Sequence, residues 1–140
     1  DQSPEDIIAS VPCEISVVID VVALGLGVIG LRGSAPKNVG KKLWDKTPSS
    51  TKTRILRLLP TMTASNFPAK LVEVLKLIQE SLSWNALKDS FSELGWWDAV
   101  TFSLSFLAIF VTGGGAFLIN VGLLISDITL LLIAINDCFL

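Results

Sequence analysis

The sequence predicts an all-α fold: a compact bundle of about six to seven helices around a buried hydrophobic C-terminal hairpin. Three observations lead there. Between Trp96 and Leu140 two long apolar runs, Ala99–Val111 and Ala116–Ile135, flank Thr112-Gly113-Gly114-Gly115. Each run exceeds the roughly four-to-eight-residue length of a strand, and neither alternates apolar with polar residues. Further upstream, Leu71, Val74, Leu75, Ile78 and Leu82 repeat at helical spacing, with Lys70, Glu73, Lys76, Gln79 and Glu80 elsewhere on the helix. Finally, of 140 residues, 51% are hydrophobic and 17% charged, and the mean hydropathy is +0.63. Such a chain fills one large core, so residues 1–140 are read as a single domain.

Ser3-Pro4-Glu5-Asp6 has the chemistry of a helix start, with Ser as cap, Pro at the first position and acids facing the positive end of the dipole. Pro12 begins or kinks the next segment. An apolar helix is expected over about 15–31, where Asp20 is the one charge and Gly25, Gly27 and Gly30 allow another backbone close. It is read as a third buried helix, packed against the hairpin through those glycines. Short basic helices follow over about 36–59, with Val39, Leu43 and Trp44 on one side of the first and Ile55, Leu56, Leu58 and Leu59 in the second. Ser49 or Ser50 is the expected cap between them.

Two amphipathic helices occupy about 66–94. Ser65-Asn66 supplies caps for the first, and Lys76 and Glu80 are spaced as an i,i+4 pair. Trp84, Leu87, Phe91 and Leu94 form the apolar side of the second, and Gly95 is placed to end it with φ > 0. The hairpin then runs over about 97–137, turning at Gly113, Gly114 and Gly115. Its second arm, nearly all apolar, is expected to be the most buried element of the fold.

Composition excludes some chemistry. His and Tyr are absent, which removes the side chain whose pKa lies nearest neutrality and with it many general-base and metal-site schemes. Gly25-Leu26-Gly27-Val28-Ile29-Gly30 matches G-x-G-x-x-G in letters, but it sits inside an apolar run without β-α alternation, so it is set aside as a dinucleotide site. No enzyme signature emerges, and no cofactor is expected. The absence of Met or of a signal-like start at Asp1 is read as a processed product. With only two cysteines, Cys13 and Cys138, a disulfide stapling the two ends is the expected pairing in an exported protein.

Charge is unevenly distributed. Residues 32–57 carry +7, against −5 before them and −4 after. Lys37, Lys41, Lys42, Trp44, Lys46, Lys52, Arg54 and Arg57 are therefore the expected contact with an anionic lipid membrane. Trp44 is the only aromatic in this stretch, so nucleic acid is not the expected partner. Asp20 and Asp127, each inside an apolar run, are candidate pH-sensitive carboxylates.

This organisation is similar to the helical pore-forming domains of colicins, where amphipathic helices shelter a hydrophobic hairpin and cationic helices meet the membrane first. The resemblance is architectural and carries over no residue. It implies a secreted, membrane-active toxin, defence or competition factor, with a homo-oligomer in the membrane as an associated possibility. The alternatives are a soluble helical module for an apolar ligand or protein partner, and a small integral membrane protein.

Overall fold

The computed structural model describes residues 12–111 and 114–139. The expected helix start at Ser3-Pro4, and Thr112 and Gly113 of the turn, lie outside them. Among the described residues the fold is all-α, with eight α-helices and two 3-10 turns. They are α1 (Cys13–Val28), α2 (Ala35–Lys46), α3 (Ser49–Leu58), α4 (Phe67–Ser81), α5 (Trp84–Ser90), α6 (Trp96–Val111), α7 (Gly115–Gly122) and α8 (Ile125–Phe139). The count is slightly above the six to seven expected from sequence.

Helix α1 lies at the centre. Val18, Val21, Val22 and Leu26 are fully buried, and α2, α4, α7 and α8 all pack against it. The helix stops at a Schellman turn, in which Leu31 N–H donates to Leu26 O and Gly30 N–H to Gly27 O. Gly30 takes the positive φ (118°) that this turn requires, and Leu26 and Leu31 are both buried beside it. On one side Gly40 of α2 meets the α1 backbone: a Cβ there would lie 3.4 Å from Ile19 O. On another, Gly25 faces Leu71 and Leu75 of α4 and Phe117 of α7. Gly27 has open space around it, so only part of the expected glycine face is used.

The flanking helices follow their patterns. Val39, Leu43 and Trp44 of α2, Ile55 of α3, and Leu71, Val74, Leu75 and Ile78 of α4 are buried. Lys76 and Glu80 pair at 3.9 Å across one turn. Ser83 caps α5 by accepting from Ala86 N–H, and Gly95 follows the second 3-10 turn at φ 94°. Two expected caps differ. Asn66 uses its side chain on the preceding loop, accepting from Thr63 N–H and donating to Thr61 O, and α3 is led in by Pro48 with no side-chain cap. The buried hydroxyls of Thr47, just after α2, and of Ser90 and Ser103 each donate to the carbonyl four residues back, which satisfies them locally.

The C-terminal region departs most from expectation. The second apolar run is not one arm: it breaks at Leu123-Leu124 into α7 and α8. Gly122 before the break and Ser126-Asp127 in the first turn of α8 are the local causes, since Gly weakens a helix interior and an acid suits a helix start. Helices α6 and α7 meet at a 99° bend, and Gly114 opens α7 at φ 76°. Burial is also reversed. Helix α8 buries only Ile128 and Ile135, and α7 only Phe117 and Val121. The most buried helix is α1, because α2, α4, α7 and α8 all pack against it, whereas α7 and α8 leave one face uncovered.

Cys13 and Cys138 are disulfide-bonded, with Cα atoms 5.5 Å apart, and tie the start of α1 to the end of α8. The closed loop spans a sequence separation of 125 residues. Paired Cys13→Ser and Cys138→Ser substitution is expected to lower the unfolding free energy by about 4–5 kcal/mol, the chain-entropy figure for a loop this long. Urea titration of the variant against the oxidised protein measures it, and equal midpoints would contradict it. At Gly40 the expectation is graded by size. Gly40→Ala fits at the contact limit and gains helix propensity, while Gly40→Leu forces α2 off α1 and costs about 1–3 kcal/mol in the same titration.

Candidate functional site

Helix α6 has two apolar faces, and only one is covered. Ala99, Ser103 and Phe106 point inward, where Phe106 meets Phe91 at 6.3 Å and Phe110 edge-on at 5.6 Å between ring centroids. Outward, Trp97, Thr101, Leu104, Ala108 and Val111 form a stripe at heptad-like spacing. Trp96 and Trp97 are 72% and 71% exposed, with centroids 6.2 Å apart. Ile119 on α7, Leu123 at the break, and Ile125, Leu130 and Ile133 on α8 are also exposed. Nine of the ten large exposed apolar side chains among the described residues thus lie between Trp96 and Ile133. Isolated exposed apolar residues are ordinary, but this concentration in three helices consecutive in the chain, with little charge, is not.

The basic residues are divided by the fold. Lys41, Arg54 and Arg57 are exposed, and Lys42 and Lys52 are half-buried. Lys37 pairs with Asp20 at 3.4 Å. Lys46 bridges from the end of α2 to Asp89 of α5 and also donates to Ala86 O. Trp44, expected at the membrane, is instead a core residue, 3% exposed. Its ring lies under Lys52 Nζ at 5.3 Å, so the aromatic that looked interfacial anchors α2 and steadies a cation above it.

Of the two carboxylates in apolar runs, Asp20 keeps a partly exposed side chain beside Lys37, and Asp127 is exposed on α8.

These two residues do share a place. A groove of ≈ 940 Å³ runs over α1 between the start of α2 and the α7–α8 break. Asp20, Arg32, Lys37 and Asp127 line it together with Leu123 and Leu130. Sequence reasoning grouped Arg32 with the basic stretch but could not bring it near Asp127, ninety-odd residues away in the chain. A smaller depression of ≈ 630 Å³ lies beside Trp96, with Asp89 and Ser92 in its wall. Among the described residues no cluster of His, Cys, Asp and Glu could hold a metal, and no single helix is long and apolar enough to cross a membrane. Helices α6 and α7 together reach that length and composition, but across their bend.

Comparisons with family models, curated proteins and solved structures gave no match.

The clearest electrostatic perturbation is at Asp89. Its hydrogen bond and charge interaction with Lys46 hold its carboxyl below the usual carboxylate range. The sign follows: the pair's contribution is present above the ordinary Asp value and fades as pH falls through the lower folded value. Carbon-13 titration of Asp89 is expected to give a midpoint below that of a free Asp, and Lys46→Gln to raise it toward the ordinary value. An unchanged midpoint in Lys46→Gln would place the cause elsewhere.

Proposed function

We propose that this chain is a secreted, membrane-active protein, a small toxin, defence or competition factor, that settles on anionic lipid bilayers. The observation that carries the reading is the exposed apolar surface of α6, α7 and α8. Water solvates that surface poorly, and the interfacial zone of a bilayer offers it an apolar environment. Trp96 and Trp97 have the amphipathic rings that suit the headgroup level. Lys41, Lys42, Arg54 and Arg57 supply attraction to anionic headgroups, each worth on the order of 1 kcal/mol near the surface. A disulfide accords with export to an oxidising compartment. Because the apolar surface is already outside, docking requires no opening of the bundle.

The soluble alternative, a carrier of an apolar ligand, draws on the groove over α1, whose volume suits a small molecule. Vesicle experiments separate the two. Ile119→Asp with Ile125→Asp is expected to weaken vesicle binding at least about tenfold, since each lost apolar contact is worth roughly 1.5–3 kcal/mol when fully buried. Far-UV circular dichroism should stay unchanged, because both side chains are exposed. Lys41→Glu with Lys42→Glu should reduce binding to anionic vesicles and leave neutral vesicles unaffected. Dye release from anionic vesicles would support the toxin reading. Wild-type binding that the two aspartates do not change would remove the apolar surface as the docking face, and no binding to any vesicle would favour the carrier.

A further inference from the structure

We propose that the groove over α1 receives the headgroup of a zwitterionic phospholipid, with its phosphate against Arg32 and Lys37 and its ammonium against Asp127. The inference rests on the membrane reading above and names the lipid chemistry that one site recognises.

Charge complementarity carries it. The groove's cations are Arg32 after α1 and Lys37 in the first turn of α2, and its carboxylates are Asp20 of α1, beside Lys37, and Asp127 in the first turn of α8. Among the described residues neither Arg32 nor Asp127 has an ion-pair partner, whereas Lys37 shares Asp20 at 3.4 Å with its own side chain 72% exposed. An exposed pair of that length holds a lysine weakly, so a phosphate can recruit it. Arginine adds a planar fork that matches two phosphate oxygens. A ligand that satisfies both Arg32 and Asp127 must carry an anion and a cation in one small group.

The apolar part of the ligand is set by what adjoins the charges. Leu123 and Leu130 flank Asp127 in the groove wall and are themselves exposed. Ile125 continues that apolar surface outside the groove. A molecule whose charged head lies in the groove therefore extends its remainder along apolar side chains, which is the form of a phospholipid and not of a free zwitterion. Phosphatidylglycerol would satisfy Arg32 and Lys37 but offer Asp127 only the neutral hydroxyls of its glycerol, with no cation to pair. A fatty acid lacks the ammonium.

Titration calorimetry with monomeric short-chain lipids tests the groove without a bilayer. Dihexanoyl phosphatidylcholine, below its micelle concentration, is expected to bind at least about fivefold more tightly than dihexanoyl phosphatidylglycerol. Asp127→Asn should abolish that preference by weakening phosphatidylcholine alone, and Arg32→Gln should weaken both lipids. Both positions are exposed, so the variants should keep the wild-type circular dichroism. Phosphocholine without chains should bind far more weakly. Equal affinity for the two lipids in the wild type, an unchanged ratio in Asp127→Asn, or phosphocholine binding as tightly as the lipid would each overturn the proposal. A protein that binds vesicles but no monomeric lipid loses the groove and keeps membrane docking. One that binds monomeric phosphatidylcholine but no vesicle loses docking and keeps the groove.

Discussion

A sixteen-residue helix with carboxylates only at Glu14 and Asp20 must find apolar neighbours on most of its surface, and α1 finds them. Its central valines are stiff, β-branched and short, so neighbouring helices approach closely without large losses of side-chain freedom. Gly25 removes a side chain where α4 and α7 approach, and Gly40 does the same from the α2 side. The Schellman turn at Gly30 then sends the chain back, and α2 returns along the helix it has just left. The disulfide fixes the other end of the same helix to α8. These constraints make α1 the axis about which the other elements are set.

Covering that axis uses a limited number of helices. A chain of this size has a high ratio of surface to volume, and its apolar residues exceed what its core holds. The excess could have been distributed singly. Instead it is gathered on α6, α7 and α8, while α2 to α5 are amphipathic in the ordinary way, with charges outward and apolar residues inward. The asymmetry is thus built into the sequence: α2 to α5 carry most of the outward charge, and α6 to α8 carry most of the exposed apolar side chains. The ion pair between Lys46 and Asp89, and the lysine over the Trp44 ring, belong to α2, α3 and α5.

That asymmetry also explains what could be read from sequence. In α4, charge and hydropathy alternate at helical period, so the helix and its buried face were both legible from residue spacing alone. The Cys13–Cys138 pairing was legible because only one intramolecular partner existed for each cysteine. Burial in α6, α7 and α8 was not. Hydropathy records that a segment avoids water, but it does not count the neighbours that the segment will obtain, and a helix apolar all round gives no sign of its outer face. Even polarity misled: Ser103 points inward, satisfied by the Ala99 carbonyl, while Leu104 points out. Trp44 failed as an interfacial residue for the same reason, because lysines around it in sequence say nothing about a ring that turns to the core. The groove was beyond reach, since Arg32 and Asp127 are joined only by tertiary packing.

The outward position of the hydrophobic helices changes what a membrane would have to do. In the colicin-like arrangement expected from sequence, a sheltered hairpin is released only when the bundle opens, and the barrier is the exposure of its core. Here α1 and α4 contribute most to the core, and much of the apolar surface of α6, α7 and α8 already faces out. Lipid contact can therefore precede any rearrangement, with α1 still enclosed. The Cys13–Cys138 bond adds a limit, because the end of α8 cannot leave the start of α1 while the bond is intact. At Leu123-Leu124 the helix is broken: the backbone hydrogen bonds of α7 end with Leu123 N–H to Ile119 O and Leu124 N–H to Val121 O, and those of α8 begin with Ile128 N–H to Leu124 O. That break also forms one wall of the groove. A headgroup held there would lie beside the exposed Leu123 and Leu130, where the groove opens onto the apolar side chains of α8.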